Sequence, residues 1–483
     1  MNSVRPCAGR LLSNGYALQP SPNSLESWTL QFWLLTGFLV LVFLTGGSSG
    51  VGTTSLVILR PASALMCAVA LATLRRDHFA GRGWLLVLAI AIIGLNLLHL
   101  IPLPPSIWQS LPGREEVAAT DRLVGLGDIW RPLTLTPMNG WHALSALLAP
   151  LAVLLLGVQL RRRECYLLLL VVIGLGVVSG IIGLLQVIGG SQGPLYLYRI
   201  TNYGSAVGLF ANRNHSAVLL AMLFPMLAVF ASNPDGTADR QRGRRVLAIA
   251  IAAVLIPLIL VSGSRSGLLF ALVGLASVAL LYRRPAEGRT VRHGGRKFKI
   301  SLIPALVVVG LFSLAVLFIV FSRAEALSRL LKPNAADGSR GDFWQVSVEL
   351  VWKYFPFGSG SGSFVEAFQI LEPARMLKLA YVNHAHNDWL EIAVVYGLPG
   401  VLLLAAAILA FLRRSFRVWR RDASSARATQ FARLATVLIF VLGLASVPDY
   451  PVRIPSMMCL AAICLIWLAG PSTSDRARSE VGA

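Results

Sequence analysis

The chain has 483 residues, of which 55% are hydrophobic and 13% are charged, and its mean hydropathy is +0.68. The chain is far too apolar for a soluble domain, and it is far too long an apolar chain for a protein held to a membrane by one peripheral anchor. The formal net charge is +21, so the placement of the basic residues has to decide between nucleic acid binding and membrane topology.

Apolar runs of about 17 to 25 residues recur along the chain and predict about twelve transmembrane helices. Each run must be helical, because lipid cannot satisfy exposed backbone groups. No small-x-small cleavage pattern follows the first run, which predicts a retained helix and not a removed signal peptide. The predicted segments are residues 30–47, 53–74, 84–101, 141–160, 166–189, 207–231, 246–262, 266–282, 300–322, 387–412, 431–447 and 453–470.

The domain organisation predicted from these runs is one transmembrane domain, residues 29–470, between cytoplasmic tails at 1–28 and 471–483. A single long outer loop, residues 323–386, interrupts the domain, and loops of that length are usually functional or disordered. Apolar periodicity from Phe343 to Phe355 predicts a short amphipathic helix that covers the cavity as a lid. The glycine and serine run at 358–364 does not fit a nucleotide-binding loop and is interpreted as a flexible turn.

Most lysines and arginines fall in the short loops that share a side with the N-terminus, which predicts that this side is cytoplasmic. The positive charge is therefore explained by topology and by lipid headgroups, and nucleic acid binding is not expected. All five cysteines fall in the inner tail, in predicted segments or at an inner boundary, so we expect no disulfide in the outer loops.

The unusual polar motifs gather on the opposite, outer side and predict a functional site there. They are NRNH at 212–215, SGSRSG at 262–267, SRGDFW at 339–344, PFGSGSGSF at 356–364, HAHN at 384–387 and DYPVR at 449–453. An outer compartment lacks nucleotide sugars and ATP, so any enzyme that transfers a group there would need a donor that is already activated and anchored in the membrane.

These motifs, together with IPLPPSIWQSLPGR at 101–114, WRPLTLTP at 130–137 and HNDWLEIAVVYGLPG at 386–400, resemble the bacterial O-antigen ligase and polysaccharide polymerase family of membrane glycosyltransferases. The resemblance implies an all-α, GT-C-like bundle in the bacterial inner membrane with a periplasmic active site. It implies transfer of a glycan from an undecaprenyl-diphosphate carrier to lipid A core or to another carrier-linked glycan. The implied partners are these glycans, membrane lipids and other polysaccharide assembly proteins, with no cofactor.

The resemblance implies catalytic roles for three residues, because His386 matches the family's loop histidine and Arg265 and Arg340 match its functional arginines. Guanidinium binds phosphate in a two-pronged fork without losing its charge, and imidazole is a base with a pKa near neutral. We therefore expect His386 to deprotonate the acceptor hydroxyl, with inversion at the anomeric carbon and with both arginines stabilising the leaving diphosphate. Further predicted substrate contacts are Asn212, Arg213, His215, Arg60, His384, Asn387 and Arg453.

Each assignment has a structural alternative that the sequence leaves open. His386 could be a helix-start residue beside a cap at Asn387 or Asp388, and Arg265 could reach lipid headgroups from the membrane boundary. Arg340, without the resemblance, is an ordinary loop cation. Arg60, inside the second segment, could belong to a structural ion pair instead of a phosphate site. The NRNH residues could cap and anchor the sixth segment.

Two other classes of protein fit twelve helices, a transporter or flippase of lipid-linked glycans and a non-catalytic assembly scaffold. Transport usually requires ionisable groups near the membrane midplane, and a scaffold leaves the arginines and histidines unexplained. A metal-dependent transferase is not expected, because the chain has no DxD motif and no acidic cluster near the first outer loop. Ligase and polymerase share the motifs, and NRNH with DYPVR slightly favours a polymerase.

Overall fold

The computed structural model describes residues 28–50, 53–190, 192–284, 310, 335–377, 381–420 and 427–470, with only the backbone described for 335–340. The predicted tails, except residue 28, lie outside the described residues. So does the predicted segment 300–322, apart from residue 310.

Seven helical stretches of the described chain are long and apolar enough to cross a membrane. They are α2 (Leu56–Thr73), α6 with α7 (Pro137–Ala146 and Leu148–Gly157), α8 (Arg162–Ile188), α9 (Arg213–Ala231), α10 (Ala238–Ser262), α14 (Asp388–Trp419) and α15 (Arg427–Ala445). Four further apolar helices are shorter: α1 (Leu30–Thr45), α3 (Gly83–Leu98), α11 (Arg265–Leu281) and α16 (Pro455–Ala469). Helices thus occupy every predicted segment that the structure describes, which confirms an all-α polytopic membrane protein.

Several predicted boundaries differ from the observed ones, because composition marks only the part of a helix that lipid surrounds. Helix α10 begins at Ala238, eight residues before the apolar run, and its first turns carry charged residues behind a Thr237 cap. Helix α14 likewise continues to Trp419. Helix α9 begins later than the predicted residue 207, because Gly208 has a positive φ and Asn212 caps the helix.

Helix α9 lies at the centre of the bundle, with most of its residues buried against α8, α10, α11 and α15. Two glycines of α11 permit close helix packing. A Cβ at Gly267 would lie 2.4 Å from the Ala217 side chain, and a Cβ at Gly274 would lie 2.4 Å from the Ala221 carbonyl. This packing fixes the first residues of α9 and α11, which carry two of the polar motifs, side by side.

The ends of the helices that carry the polar motifs meet on one face of the bundle. Three backbone hydrogen bonds join them there: Ala211 to Gly47 (3.0 Å), Ser456 to Gly46 (3.0 Å) and Asp388 to Ser446 (2.9 Å). At the opposite face, Arg82 donates to the carbonyls of Gly470 and Val158. We call the first of these faces the polar face.

A layer of short elements covers the polar face. Strands β1 (Pro102–Leu103) and β2 (Arg131–Pro132) pair antiparallel, and the helices are α4 (Pro105–Trp108), α5 (Glu115–Leu123), α12 (Ala335–Lys353) and α13 (Phe364–Leu371). The expected amphipathic helix at 343–355 is confirmed as the later part of α12. Its buried Val346 and Leu350, with Tyr354 just after the helix, pack in one cluster with Phe368 and with Val394 of α14.

The glycine and serine run at 358–364 is not a flexible turn, and that interpretation is wrong. Ser359, Ser361 and Ser363 are completely buried. The amides of Ser359 and Gly360 donate to the carbonyls of Val394 and Val395, both at 2.9 Å. Gly358, Gly360 and Gly362 all have positive φ, so the glycines provide a left-handed backbone and close approach and do not provide mobility.

Replacing Gly360 by alanine is expected to destabilise the fold by at least about 2 kcal/mol, through overpacking and through a left-handed φ of +100°. A Cβ there would lie 2.1 Å from the Thr134 Cα, which is backbone and cannot move aside cheaply. Thermal unfolding of the detergent-solubilised protein measures the effect. Gly94→Ala is the control, since a Cβ at Gly94 meets nothing within 4 Å; equal melting temperatures for the two variants would contradict the prediction.

Helix α14 is interrupted at Gly397, which has φ 54° and ψ −147° and is followed by Pro399. The sequence Gly397-Leu398-Pro399-Gly400 is typical of such a break in an apolar helix. The Leu398 amide donates to the Pro356 carbonyl at 2.8 Å, so the break is tied to the glycine and serine run. The short first part of α14, residues 388–396, lies on the polar face and holds Asp388 and Glu391.

Candidate active site

His386 has a φ of +50° and is the one residue other than glycine with a positive φ in the part of the chain that the structure describes. Such a conformation is costly for histidine and persists only where the surroundings impose it. The neighbours do impose it: the Ala385 amide donates to Glu391 Oε2 (2.9 Å), and Asn387 Oδ1 accepts from the Leu390 amide (3.1 Å). Asn387 is therefore the cap of α14, and His386 directly precedes this cap, as the structural alternative predicted.

Asp449, buried in the turn that follows α15, lies beside His386. Its Oδ1 is 3.3 Å from His386 Nδ1 and 3.5 Å from His215 Nε2. Its Oδ2 accepts from Asn214 Nδ2 at 2.7 Å and from Asn212 Nδ2 at 3.4 Å. One carboxylate therefore connects the NRNH motif to the HAHN loop.

The charge of Asp449 is maintained by its neighbours. Burial alone would raise its pKa, but His215 and His386 outweigh burial and hold the pKa well below its usual range. The carboxylate consequently stays ionised at neutral pH. It can fix the orientation of the His386 ring and stabilise that ring when it carries a proton.

The SGSRSG turn is joined to the same carboxylate through Asn214. Ser264 Oγ donates to Asn214 Oδ1 at 2.8 Å and accepts from the Gly267 amide at 3.0 Å, so it also caps α11. Arg265 is the first residue of that helix, and its side chain is exposed on the polar face. A Cβ at Gly263 would lie 3.9 Å from Arg213 Nη1, which places the two predicted arginines at neighbouring positions.

Helix α12 approaches the same site from the covering layer. The Phe343 ring stacks on the His386 ring with centroids 5.9 Å apart, and the Tyr450 ring meets His386 edge to face at 4.9 Å. Arg340 lies one helical turn before Phe343 in α12. The Arg340 side chain lies outside the described part, so its predicted role stays a prediction.

A second buried group of charges surrounds His384. Its Nδ1 lies 3.0 Å from Glu391 Oε1 and its Nε2 lies 3.0 Å from Ser49 Oγ. Arg453 Nε and Nη1 reach Asp388 Oδ1 and Glu391 Oε1, both at 3.1 Å. Arg453 is thus already paired with two carboxylates, which gives this predicted substrate contact a structural role that the sequence did not indicate.

The stability of the protein is expected to fall as the pH drops below about 6.5, the usual pKa of histidine. Burial lowers the pKa of His384, despite the opposing effect of Glu391. As the pH falls, His384 therefore binds a proton in the unfolded chain before it does so in the folded protein. Protonation destabilises the folded protein progressively until the pH reaches the pKa of His384 in the folded state. Thermal unfolding at several pH values measures the loss of stability. The melting temperature of His384→Gln should depend less on pH than that of wild type. An unchanged dependence in that variant would contradict the prediction.

Arg60 and His142 lie across from His384, in the lining of a cavity of about 460 Å³. Arg60 Nη1 is 2.8 Å from His142 Nδ1. His386, Arg213 and Arg265 are not among the residues that line this cavity. The predicted site residues therefore form two neighbouring regions, one around Asp449 and one around the cavity, and Tyr450 separates them by packing against both His384 and His386.

Three important residues were missed from the sequence: Asp449, Asp388 and Glu391. The sequence does contain a signal for Asp388 and Glu391, because acidic residues at the start of an apolar segment are costly and commonly functional. Asn212 caps α9 and His215 contacts Asp449, and their predicted contact with substrate stays a prediction. In the described ranges, no group of three His, Cys, Asp or Glu side chains is arranged to hold a metal ion, and metal independence stays a prediction.

The fold and this site define a polytopic helical membrane protein with a histidine and carboxylate centre at one face. Residues 246–405 match the O-antigen ligase family, which confirms the resemblance to O-antigen ligases and polysaccharide polymerases. The match indicates a membrane enzyme that transfers glycans in surface polysaccharide assembly. It includes Arg265, Arg340 and His386, whereas NRNH and DYPVR lie outside it. No curated protein matches the chain.

Proposed function

We propose that the protein transfers a glycan from an undecaprenyl-diphosphate carrier to an acceptor hydroxyl at the periplasmic face of the inner membrane. The observation that carries this proposal is the contact of Asp449 with His386 and, through Asn214 and Ser264, with the turn that presents Arg265. A base and a phosphate-binding arginine are thereby held in one rigid unit. Both termini are cytoplasmic in this arrangement.

His386 acts as the general base in the proposed reaction. Its Nδ1 faces Asp449, so Nε2 takes the proton from the acceptor hydroxyl as the oxygen attacks the anomeric carbon. The bond from that carbon to the diphosphate oxygen breaks at the same time, and attack from the opposite side inverts the configuration. Asp449 stabilises the imidazolium that forms.

Arg265 and Arg340 stabilise the negative charge that develops on the departing diphosphate. Diphosphate is a good leaving group, so the reaction requires no general acid and proceeds without a metal ion. Arg213, next to the Arg265 turn, is the third arginine placed near the phosphates. The lid formed by α12 carries Arg340 to the site and positions the substrate.

Reconstituted transfer with a lipid-linked glycan tests the role of the arginines. Arg265→Gln is expected to lower the transfer rate about 100-fold, because one charge-assisted contact to the leaving group is lost. Arg199→Gln, which removes another exposed arginine near the polar face, is the control and should transfer normally. Transfer by folded Arg265→Gln at the wild-type rate, or loss of transfer in EDTA, would contradict the mechanism.

The surface glycans of cells that lack this protein distinguish a polymerase from a ligase. A polymerase, which the NRNH and DYPVR motifs favour, leaves single repeat units attached when it is lost. A ligase leaves complete polymer on the carrier, because only the final transfer fails.

A further inference from the structure

The cavity beside His384 is a groove with one polar end and one apolar end. Helix α3 contributes Leu88, Ile92 and Asn96 to its wall, at spacings of four residues that put them on one helix face. The step from Asn96 to Leu88 spans about 12 Å at 1.5 Å per residue. Asn96 lies near the polar face and Leu88 lies deeper in the bundle.

Helix α14 forms the facing wall with the same polarity. Glu391 lies near the polar face, whereas Leu403, Leu404 and Ala407 line the groove further along the helix, beyond the break at Gly397. The groove therefore continues from a charged end into a region lined by aliphatic side chains. A soluble sugar would leave that region unfilled, whereas a hydrocarbon chain would fill it.

The polar end carries a cation whose hydrogen bonding is incomplete. The Arg60 Nε atom is buried and has no hydrogen-bond partner among the described residues, and no ion pair of the described residues includes Arg60. The polar partner found for its guanidinium is the His142 ring. Arg60 is partly buried and stands inside a membrane-spanning helix, where a guanidinium without an anion is costly, so an anionic group of the occupant would lower that cost.

We propose that this groove binds the acceptor substrate, and that the acceptor is itself a phosphate-bearing lipid-linked glycan. The Arg60 guanidinium holds the phosphate, and the apolar walls of α3 and α14 hold the lipid chain. This inference rests on the proposed function, in which the donor diphosphate occupies the separate arginine region next to Asp449. Two membrane-anchored substrates would then reach the histidine loop from two sides.

Photo-crosslinking of the purified full-length protein tests the location directly. The probe is a polyprenyl phosphate with a diazirine at the hydrocarbon end, and the labelled peptides are mapped by mass spectrometry. Labelling is expected in residues 88–96 and 400–407. Labelling confined to residues 265–281 would overturn the proposal, because the lipid phosphate would then occupy the donor region alone.

Two variants and two competitors test the chemistry of the groove. Arg60→Gln should reduce labelling about 10-fold or more, Ala407→Trp should block it by filling the apolar end, and Arg199→Gln should leave it unchanged. A polyprenol probe without phosphate should label poorly, and inorganic phosphate should not compete. Undiminished labelling of Arg60→Gln or Ala407→Trp, equal labelling by the polyprenol, or full competition by inorganic phosphate would each overturn the proposal.

Kinetics separate this inference from the proposed function. Arg60→Gln should raise KM for the lipid-linked acceptor and leave KM for the donor unchanged. His386→Ala should lower the rate of transfer at least about 100-fold and retain labelling of the groove. Normal glycan transfer by His386→Ala would contradict the proposed function. The crosslinking result would still decide whether the groove binds a lipid phosphate.

Discussion

Replacing His386 by asparagine is expected to lower the rate of glycan transfer roughly 10²- to 10⁴-fold, the range typical for loss of a general base. Asparagine is the informative substitution, because it tolerates the positive φ of this position and has no group that titrates near neutral pH. The protein should therefore fold normally. Reconstituted transfer assays with a lipid-linked donor measure the rate, and thermal unfolding verifies the fold.

Two controls accompany this experiment. His386→Gly also suits the left-handed conformation and should be equally inactive, so the two variants together exclude a purely conformational explanation. Asn387→Ala removes the cap of α14 without removing the base. It should cost about 1 kcal/mol of stability and lower the transfer rate far less than His386→Asn does. Wild-type rates in His386→Asn would contradict the assignment of His386 as the base.

Replacing Asp449 by asparagine is expected to lower the transfer rate by about 10³-fold, although Asp449 contacts no reacting atom in the proposed mechanism. An amide can keep the hydrogen bond from Asn214 to its oxygen, but its NH₂ group then donates to His386 Nδ1. The ring is forced into the tautomer with a proton on Nε2, which cannot act as a base. The imidazolium also loses its counter-charge.

The dependence of activity on pH distinguishes this positioning role from a structural one. In wild type, Asp449 stays ionised because its pKa is held well below the usual range, so the acid limb of the pH profile belongs to another group. We expect Asp449→Asn to change the pH profile as well as kcat. Asp121→Asn, at a buried aspartate paired with Arg131 in the covering layer, should change stability with an unaltered profile. Unaltered profiles in both variants would contradict the positioning role.

The apolar segments could be predicted from the sequence because backbone groups in lipid must form their hydrogen bonds within the segment, which requires a helix. A run such as 166–189 has to be helical, and α8 is. The break at Gly397 was also readable, since a glycine and a proline stand together within an apolar run. The serines at 359–363 were misjudged, because nothing local showed that α14 would supply partners for their amides.

The arrangement of the site depended on contacts between distant parts of the chain, which no spacing reveals. Asp449 meets His386 across more than sixty residues and meets Asn214 across 235. The sequence therefore identified the motifs and missed the carboxylate that joins them. The position of Arg60 in the second transmembrane helix was predicted correctly from the sequence. The groove beside Arg60 was not predicted.

The break in α14 has a mechanical consequence. Residues 388–396 are tied to the covering layer by the amides of Ser359, Gly360 and Leu398, whereas the part beyond Gly400 runs through the bilayer to Trp419. When the surrounding bilayer thickens or thins, a helix adapts by tilting. Because α14 is interrupted at residue 397, we expect such a tilt to be taken up there, so that the histidine loop keeps its position while the spanning part of the helix follows the membrane.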